Sequence, residues 1–141
     1  MAVYTKLDQK NIEKILSNYS IGKLEKFEGI EEGIENSNFL IWVDKKKYIL
    51  TIYEKRVKKE DLPFFSELMA SLNQSSFKCP KPILNKDKNP ITDFNSKKLM
   101  VVSFIEGRPK INLSPDNCKS IGIETGKMHE LTKNLKIQRR N

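Results

Sequence analysis

Reactive side chains are scarce: the 141-residue sequence has two cysteines and one histidine. Cys79 and Cys118 form no CxxC pair, and with His129 alone they cannot complete a four-ligand zinc site. Free thiols fit a reducing compartment, so the expectation is a cytoplasmic protein. Glycine and proline number only six each, which excludes collagen-like and low-complexity chains. No apolar run approaches the roughly 20 residues that span a bilayer. The opening Met1-Ala2-Val3-Tyr4-Thr5-Lys6 lacks the apolar stretch of a secretory signal. What is left is an ordinary single domain with 38% apolar residues, enough for a modest core.

Arginine is also scarce, with 4 against 22 lysines inside a net charge of +8. The lysines fall in short clusters (Lys45-Lys46-Lys47, Lys58-Lys59, Lys97-Lys98) instead of lining one helix face. Lys, Ile and Asn together make up 49 of the 141 residues, a compositional bias spread over the whole chain. The charge therefore reads as solvated surface, and neither nucleic acid nor membrane is expected as a partner.

The hydrophobic pattern predicts a first helix, with a capping pattern in Thr5-Lys6-Leu7-Asp8 and Ile12, Ile15, Leu16 and Tyr19 on one face. Gly22 stands where a helix-terminating glycine belongs. Three strands follow over 24–30, 37–43 and 48–53, the last two joined by the polar turn at 44–47. A second helix starts near Glu60-Asp61 with the stripe Phe64, Phe65, Leu68, Met69 and Leu72. Cys79-Pro80-Lys81-Pro82 breaks it and begins an extended stretch, 85–90 is a turn, and 99–105 is a buried strand. Glu106-Gly107-Arg108-Pro109 reads as a linker into a third helix from Ser114 to about Leu131, with Ile121, Thr125, Met128 and Leu131 along one side. Trp42, Phe64 and Phe65 are assigned to the core, and His129 to a structural place on the third helix. The order is α-β-β-β-α-β-β-linker-α, an α+β fold with a largely antiparallel sheet.

The chemistry concentrates in Gly29-Ile30-Glu31-Glu32-Gly33-Ile34-Glu35-Asn36-Ser37-Asn38-Phe39, two glycines and a polar cluster between two strands. Glycine lets backbone approach a ligand, and N–H groups with Asn and Ser side chains suit phosphate oxygens. It is not a Walker A loop, because no Gly-Lys-Ser/Thr follows. By itself the segment is weak evidence for a ligand and fits an ordinary hairpin turn better.

Its surroundings favour the ligand reading. Gly33-Ile34-Glu35-Asn36-Ser37-Asn38-Phe39, Tyr48-Ile49-Leu50-Thr51-Ile52-Tyr53-Glu54-Lys55-Arg56, Glu60-Asp61-Leu62-Pro63-Phe64-Phe65 and Val102-Ser103-Phe104-Ile105-Glu106-Gly107-Arg108 together resemble bacterial homoserine kinase of the aminoglycoside-phosphotransferase/choline-kinase type. The opening five residues and Gly126-Lys127-Met128-His129 fit the same pattern, so the resemblance covers the whole chain. It implies a protein-kinase-like N-lobe over residues 1–105, then a linker and the first helix of a truncated C-lobe over 106–141.

The resemblance further implies ATP-dependent phosphorylation of L-homoserine, with ATP and Mg2+ as cofactors. Gly33, Glu35, Asn36, Ser37 and Asn38 would form the loop over the phosphates. Val102, Ser103, Phe104 and Ile105 would be the hinge that offers backbone groups to adenine. Thr51 occupies the strand position where kinases generally carry a phosphate-binding lysine, and Lys55 and Arg56 follow it. Glu67 is the second helix's candidate for a kinase-type lysine–glutamate pair. The family's catalytic loop, His-x-Asp-x-x-x-x-Asn, and its later metal-binding Asp have no match here: His129 precedes Glu130-Leu131-Thr132, and no aspartate follows Asp116. No catalytic residue and no metal ligand is therefore assigned in this chain, and a separate C-terminal half is an expected partner. The alternatives are a choline- or aminoglycoside-type kinase, and a non-catalytic remnant or binding module.

Overall fold

The computed structural model describes residues 4–32, 35–54, 57–137 and 139. Helix α1 spans Gln9–Leu16. Its start is set by Asp8, whose carboxylate accepts the Asn11 N–H at 2.7 Å. The Asn11 side chain accepts the Asp8 N–H in return, which satisfies two backbone donors at the helix end. Ile12, Ile15 and Leu16 face inward, and Tyr19 closes the turn with its hydroxyl 2.9 Å from that of Thr92. The chain then reverses at Gly22, where φ is +113°, a conformation that side chains with a Cβ seldom adopt.

Five strands follow: β1 (Leu24–Ile30), β2 (Ser37–Val43), β3 (Lys46–Tyr53), β4 (Ile91–Phe94) and β5 (Lys97–Ser103). They form one sheet in the order β1-β2-β3-β5-β4, with every neighbouring pair antiparallel. Two hairpins close through two-residue turns at Asp44-Lys45 and Asn95-Ser96, each with both central φ values positive. That geometry matches the right-handed twist of the flanking strands.

The β4–β5 hairpin departs from the sequence reading, which placed a strand in the extended stretch after Pro80. That stretch makes only an isolated bridge, Pro82 to Val102, flanked by Ile83 N–H to the Val101 carbonyl at 2.9 Å. Prolines at 80 and 82 remove the N–H donors that a full ladder would need. The buried strand is also shorter than expected: Phe104 and Ile105 lie beyond its end.

The sheet buries one face almost completely. Phe39, Ile41, Val43, Tyr48, Leu50, Ile52, Leu99 and Val101 pack beneath α1 and form the core with Ile12, Ile15, Leu16 and Tyr19. Their every-second spacing is the strand period.

Helix α2 (Leu62–Gln74) follows a single 3-10 turn, with Pro63 tolerated near its start. Its buried residues are Leu62, Ser66 and Leu72, not the Phe64–Phe65 pair. Starting the helix at Leu62 sets the inward face by Leu62 and Ser66, one turn apart. Phe64 and Phe65 are left half-buried, their rings meeting edge to face at 5.6 Å. Helix α3 (Pro115–Thr132) is capped by Ser114 and buries no residue at all. Ile121 is 54% exposed and Ile123 49%, and the 75–78 segment beside the helix leaves this side open.

Candidate functional site

Strand alternation puts a second set of residues on the opposite face of the sheet from α1. Ile30, Leu40, Ile49 and Val102 share it, through the pairs Glu28↔Leu40, Leu40↔Ile49 and Ile49↔Val102 and the strand period. All four are half-buried, in contrast to the closed α1 face. They form an apolar strip across three central strands and β1. The strip ends at one side in the β1–β2 connection and at the other in the chain leaving β5. A flat apolar ligand with a polar tail matches that layout: the ring against the strip, the tail toward the connection.

The loop end carries the polar residues. Asn38 and Thr51 are cross-strand partners on the strip's face, and the Thr51 hydroxyl donates to Asn38 Oδ1 at 2.8 Å. The Asn38 NH2 group is left as the donor end of the pair. Asn36 accepts the Glu54 N–H on its side-chain oxygen at 3.4 Å. Glu35 is exposed. Gly33 lies outside the described residues, as do Ile34, Lys55 and Arg56.

Ser37 is turned the other way. It is fully buried on the α1 face, where its hydroxyl accepts the Thr5 N–H and donates to Glu54 Oε1, both at 2.8 Å. As the first residue of β2 it must alternate with Asn38, so only one of the two can face a ligand. Ser37 is thus a buried hydrogen-bonding residue, and its side chain does not face the strip.

Around Glu54 a compact network forms. The Thr5 hydroxyl donates to Glu54 Oε1 at 2.6 Å, and Lys97 Nζ lies 2.5 Å from Oε2 and 2.6 Å from the Thr5 oxygen. Burial pushes the Glu54 carboxyl up. Hydrogen bonds from Lys97, Thr5 and Ser37, with the Lys97 charge, outweigh this and hold it below the usual glutamate range. A carboxyl lowered in the folded state stabilises the fold above its ordinary pKa, and the contribution is lost as pH falls through the folded value. The melting-temperature gap between wild type and Glu54→Gln is therefore expected to be full near neutrality. It should shrink as melts are repeated toward pH 3; a gap independent of pH would contradict the assignment.

At the other end, two hinge N–H groups are already engaged within the fold. Ser103 donates to the Lys81 carbonyl at 2.9 Å and Phe104 to that of Lys47 at 3.2 Å. The Ser103 hydroxyl accepts the Lys81 N–H. Among the described residues the Ile105 N–H has no such bond, so of this run it is the amide open to a ligand, with Val102 supplying apolar surface. The segment is held from outside by Lys47, whose ammonium sits 5.1 Å from the Phe104 ring centroid and 2.7 Å from Glu106. Trp42 is not core: it is half-buried on the strip's face, with Lys26 Nζ 4.8 Å from its ring. No feature of the sequence distinguished it from its buried neighbours except its odd place in the alternation.

Among the described residues Glu67 forms no lysine–glutamate pair of the kinase type. Thr51 is bonded to Asn38, and Glu67 is exposed beside a groove of about 410 Å³ lined by Lys81, Pro82 and Leu84. Asp61 instead carries the buried carboxylate of this region, 2.7 Å from Arg139. The Arg139 hydrogen bond holds it below the usual aspartate range. His129 lies exposed in the last turn of α3. Among the described residues no group of three or more His, Cys, Asp or Glu is placed to hold a metal ion. No helix among the described residues is long and apolar enough to cross a membrane.

Comparison with known proteins places these features in a wider setting. The family described as "Phosphotransferase enzyme family" matches residues 26–140. A homoserine kinase of Bartonella tribocorum is 38% identical over all 141 residues, which make up 44% of its length. Those of Agrobacterium fabrum and Bradyrhizobium diazoefficiens are likewise 38% identical over the whole chain, covering 44% and 43% of their lengths. The chain thus spans under half the length of these curated relatives. The remainder belongs to the same polypeptide in each of them, which gives no support to a separate C-terminal half. Among solved structures, a microcompartment-associated aminopropanol kinase superposes with a TM-score of 0.72 at 14% identity, covering 95% of this chain and 45% of that one. A spectinomycin phosphotransferase in complex with ADP and spectinomycin gives 0.70 at 14% identity, covering 97% and 43%. At that identity the two structures establish the fold: the kinase-like N-lobe expected from the sequence.

Proposed function

The chain belongs to the phosphotransferase enzyme family, and on that footing we propose that it is the nucleotide-binding part of an ATP-dependent homoserine kinase. The observation that carries this is the 38% identity to homoserine kinases along all 141 residues. The overall reaction breaks the bond from the γ-phosphorus to the β–γ bridging oxygen and joins that phosphorus to the homoserine hydroxyl oxygen. The hydroxyl proton is released. Residues 1–105 form the nucleotide-binding lobe, and 106–141 the linker and first helix of the acceptor-binding part. The reaction belongs to threonine biosynthesis in the cytoplasm.

In this reading Ile30, Leu40, Ile49 and Val102 hold the purine, and the Ile105 N–H meets its edge. Gly33, Glu35, Asn36 and Asn38 lie along the triphosphate with Thr51 beneath. Mg2+ accompanies ATP, with its protein ligands outside these 141 residues. A relative acting on a different amino alcohol is the second reading, favoured by the fold shared with the aminopropanol kinase.

Nucleotide binding can be measured on the chain itself. Calorimetric titration with ATP is expected to show saturable binding. Ile49→Glu places a charge under the purine and should weaken binding more than about tenfold, since desolvating an unpaired carboxylate costs well over 1.4 kcal/mol. Circular dichroism should be unchanged, because Ile49 lies on the half-open face. Equal affinity in the variant would remove the strip from the site.

A further inference from the structure

The Glu54 network lies on the α1 face, so it cannot touch a nucleotide bound against the strip on the other side of the sheet. Yet it joins four separate segments at one point: Thr5 before α1, Ser37 at the start of β2, Glu54 after β3 and Lys97 at the start of β5. Ser37 stands between Asn36 and Asn38. Because neighbouring strand residues point to opposite faces, seating Ser37 inward sets the direction of Asn38 toward Thr51. The Glu54 backbone adds a second hold, donating to the Asn36 side chain.

The Glu54 side chain is only 10% exposed. The Lys97 side chain is 37% exposed, so the pair reaches solvent and contributes only modestly to stability. What it supplies is direction, since each acceptor oxygen has its own donors: the Thr5 and Ser37 hydroxyls on Oε1 and the Lys97 ammonium on Oε2. We propose that the Glu54–Lys97 pair, tied in by Thr5 and Ser37, is a positioning element that holds the 36–38 arm in the register nucleotide phosphates require. This rests on the nucleotide-binding reading above.

The test separates the phosphate end of the site from the purine end, using the whole 141-residue chain, calorimetry, and both ATP and adenosine. Glu54→Gln and Lys97→Met are expected to bind ATP about tenfold more weakly, the scale of one charge-assisted hydrogen bond. Adenosine affinity should stay within about twofold, because the strip does not depend on the arm. Lys97→Arg keeps the charge and should restore ATP binding to near the wild-type value.

If either variant fails to fold, Thr5→Val removes one hydroxyl and leaves the ion pair in place. The same split is then expected at about tenfold, since that hydroxyl bonds both the Glu54 carboxylate and the Lys97 ammonium. Adenosine affinity falling in step with ATP would show a purely structural role and overturn the proposal. So would ATP affinity unchanged in the variants. A wild-type chain that binds neither ligand would overturn the nucleotide reading itself, and the positioning role with it.

Discussion

Incubated with ATP, Mg2+ and homoserine, the 141-residue polypeptide by itself is expected to release ADP no faster than a protein-free control. Phosphoryl transfer depends on orienting the acceptor hydroxyl and on holding positive charge against the phosphates. The family resemblance assigns those tasks to an Asp and an Asn of a catalytic loop and to a later Asp, and the sequence has no aspartate after Asp116. The structure offers no substitute among the described residues. His129 is exposed on α3, and the buried carboxylates of Glu54 and Asp61 are each committed to a cation. Enzymes of this kind accelerate their reactions by at least about a millionfold, so loss of the machinery is not a partial defect. A chimera in which the remainder of a curated homoserine kinase follows residue 141 is expected to turn over. A coupled ADP-release assay on both proteins decides the matter. Homoserine-dependent turnover by the 141 residues alone would refute the assignment of catalysis to the remainder.

Leu50→Ala is expected to destabilise the fold by about 3 kcal/mol, and Ile121→Ser by less than about 0.5 kcal/mol. Leu50 is completely buried at the centre of β3, between Phe39 on β2 and Val101 on β5. Truncating it leaves a cavity that the neighbouring strands cannot close without breaking the ladder. Against a typical total stability of about 5–15 kcal/mol, that loss lowers the melting temperature by roughly 10 °C. Ile121 is more than half exposed on a helix that buries nothing. Its removal should instead reduce self-association, which the apolar side of α3 together with exposed Ile111 and Leu113 promotes. Thermal melts and sedimentation velocity on the two variants give the two readouts. A melt of Ile121→Ser as depressed as that of Leu50→Ala would place α3 in the core.

The apolar face of α3 shows how far local signals reach. Ser114-Pro115-Asp116 and the spacing of Ile121, Thr125, Met128 and Leu131 predicted the helix and its apolar side correctly, because caps and periodicity are local properties. Burial is not a local property: it depends on what the rest of the fold brings alongside, and Ile121 stays more than half exposed. The same limit explains Phe64 and Phe65. Their apolar character was evident, but the inward face of α2 was decided by where its first turn began.

From the sequence by itself came the three helices, strands β1, β2, β3 and most of β5, the hairpin at Asp44, the antiparallel sheet and the family resemblance, but not β4. Each of these rests on composition, spacing or a contiguous motif. The tertiary structure decided which side of each strand packs against α1 and which stays half-open. Ser37 and Asn38 are adjacent and equally polar, and only the Thr5–Glu54–Lys97 network on one face shows that Ser37 is the inward one. The half-open apolar strip was also illegible beforehand, since Ile30, Leu40, Ile49 and Val102 look like core residues until the register aligns them on one face. The hinge amides followed the same rule: Lys81 and Lys47 claim the N–H groups of Ser103 and Phe104 from distant parts of the chain. Strand register and contacts between segments far apart in sequence arise from packing one face of the sheet against α1. No local window of residues encodes that packing.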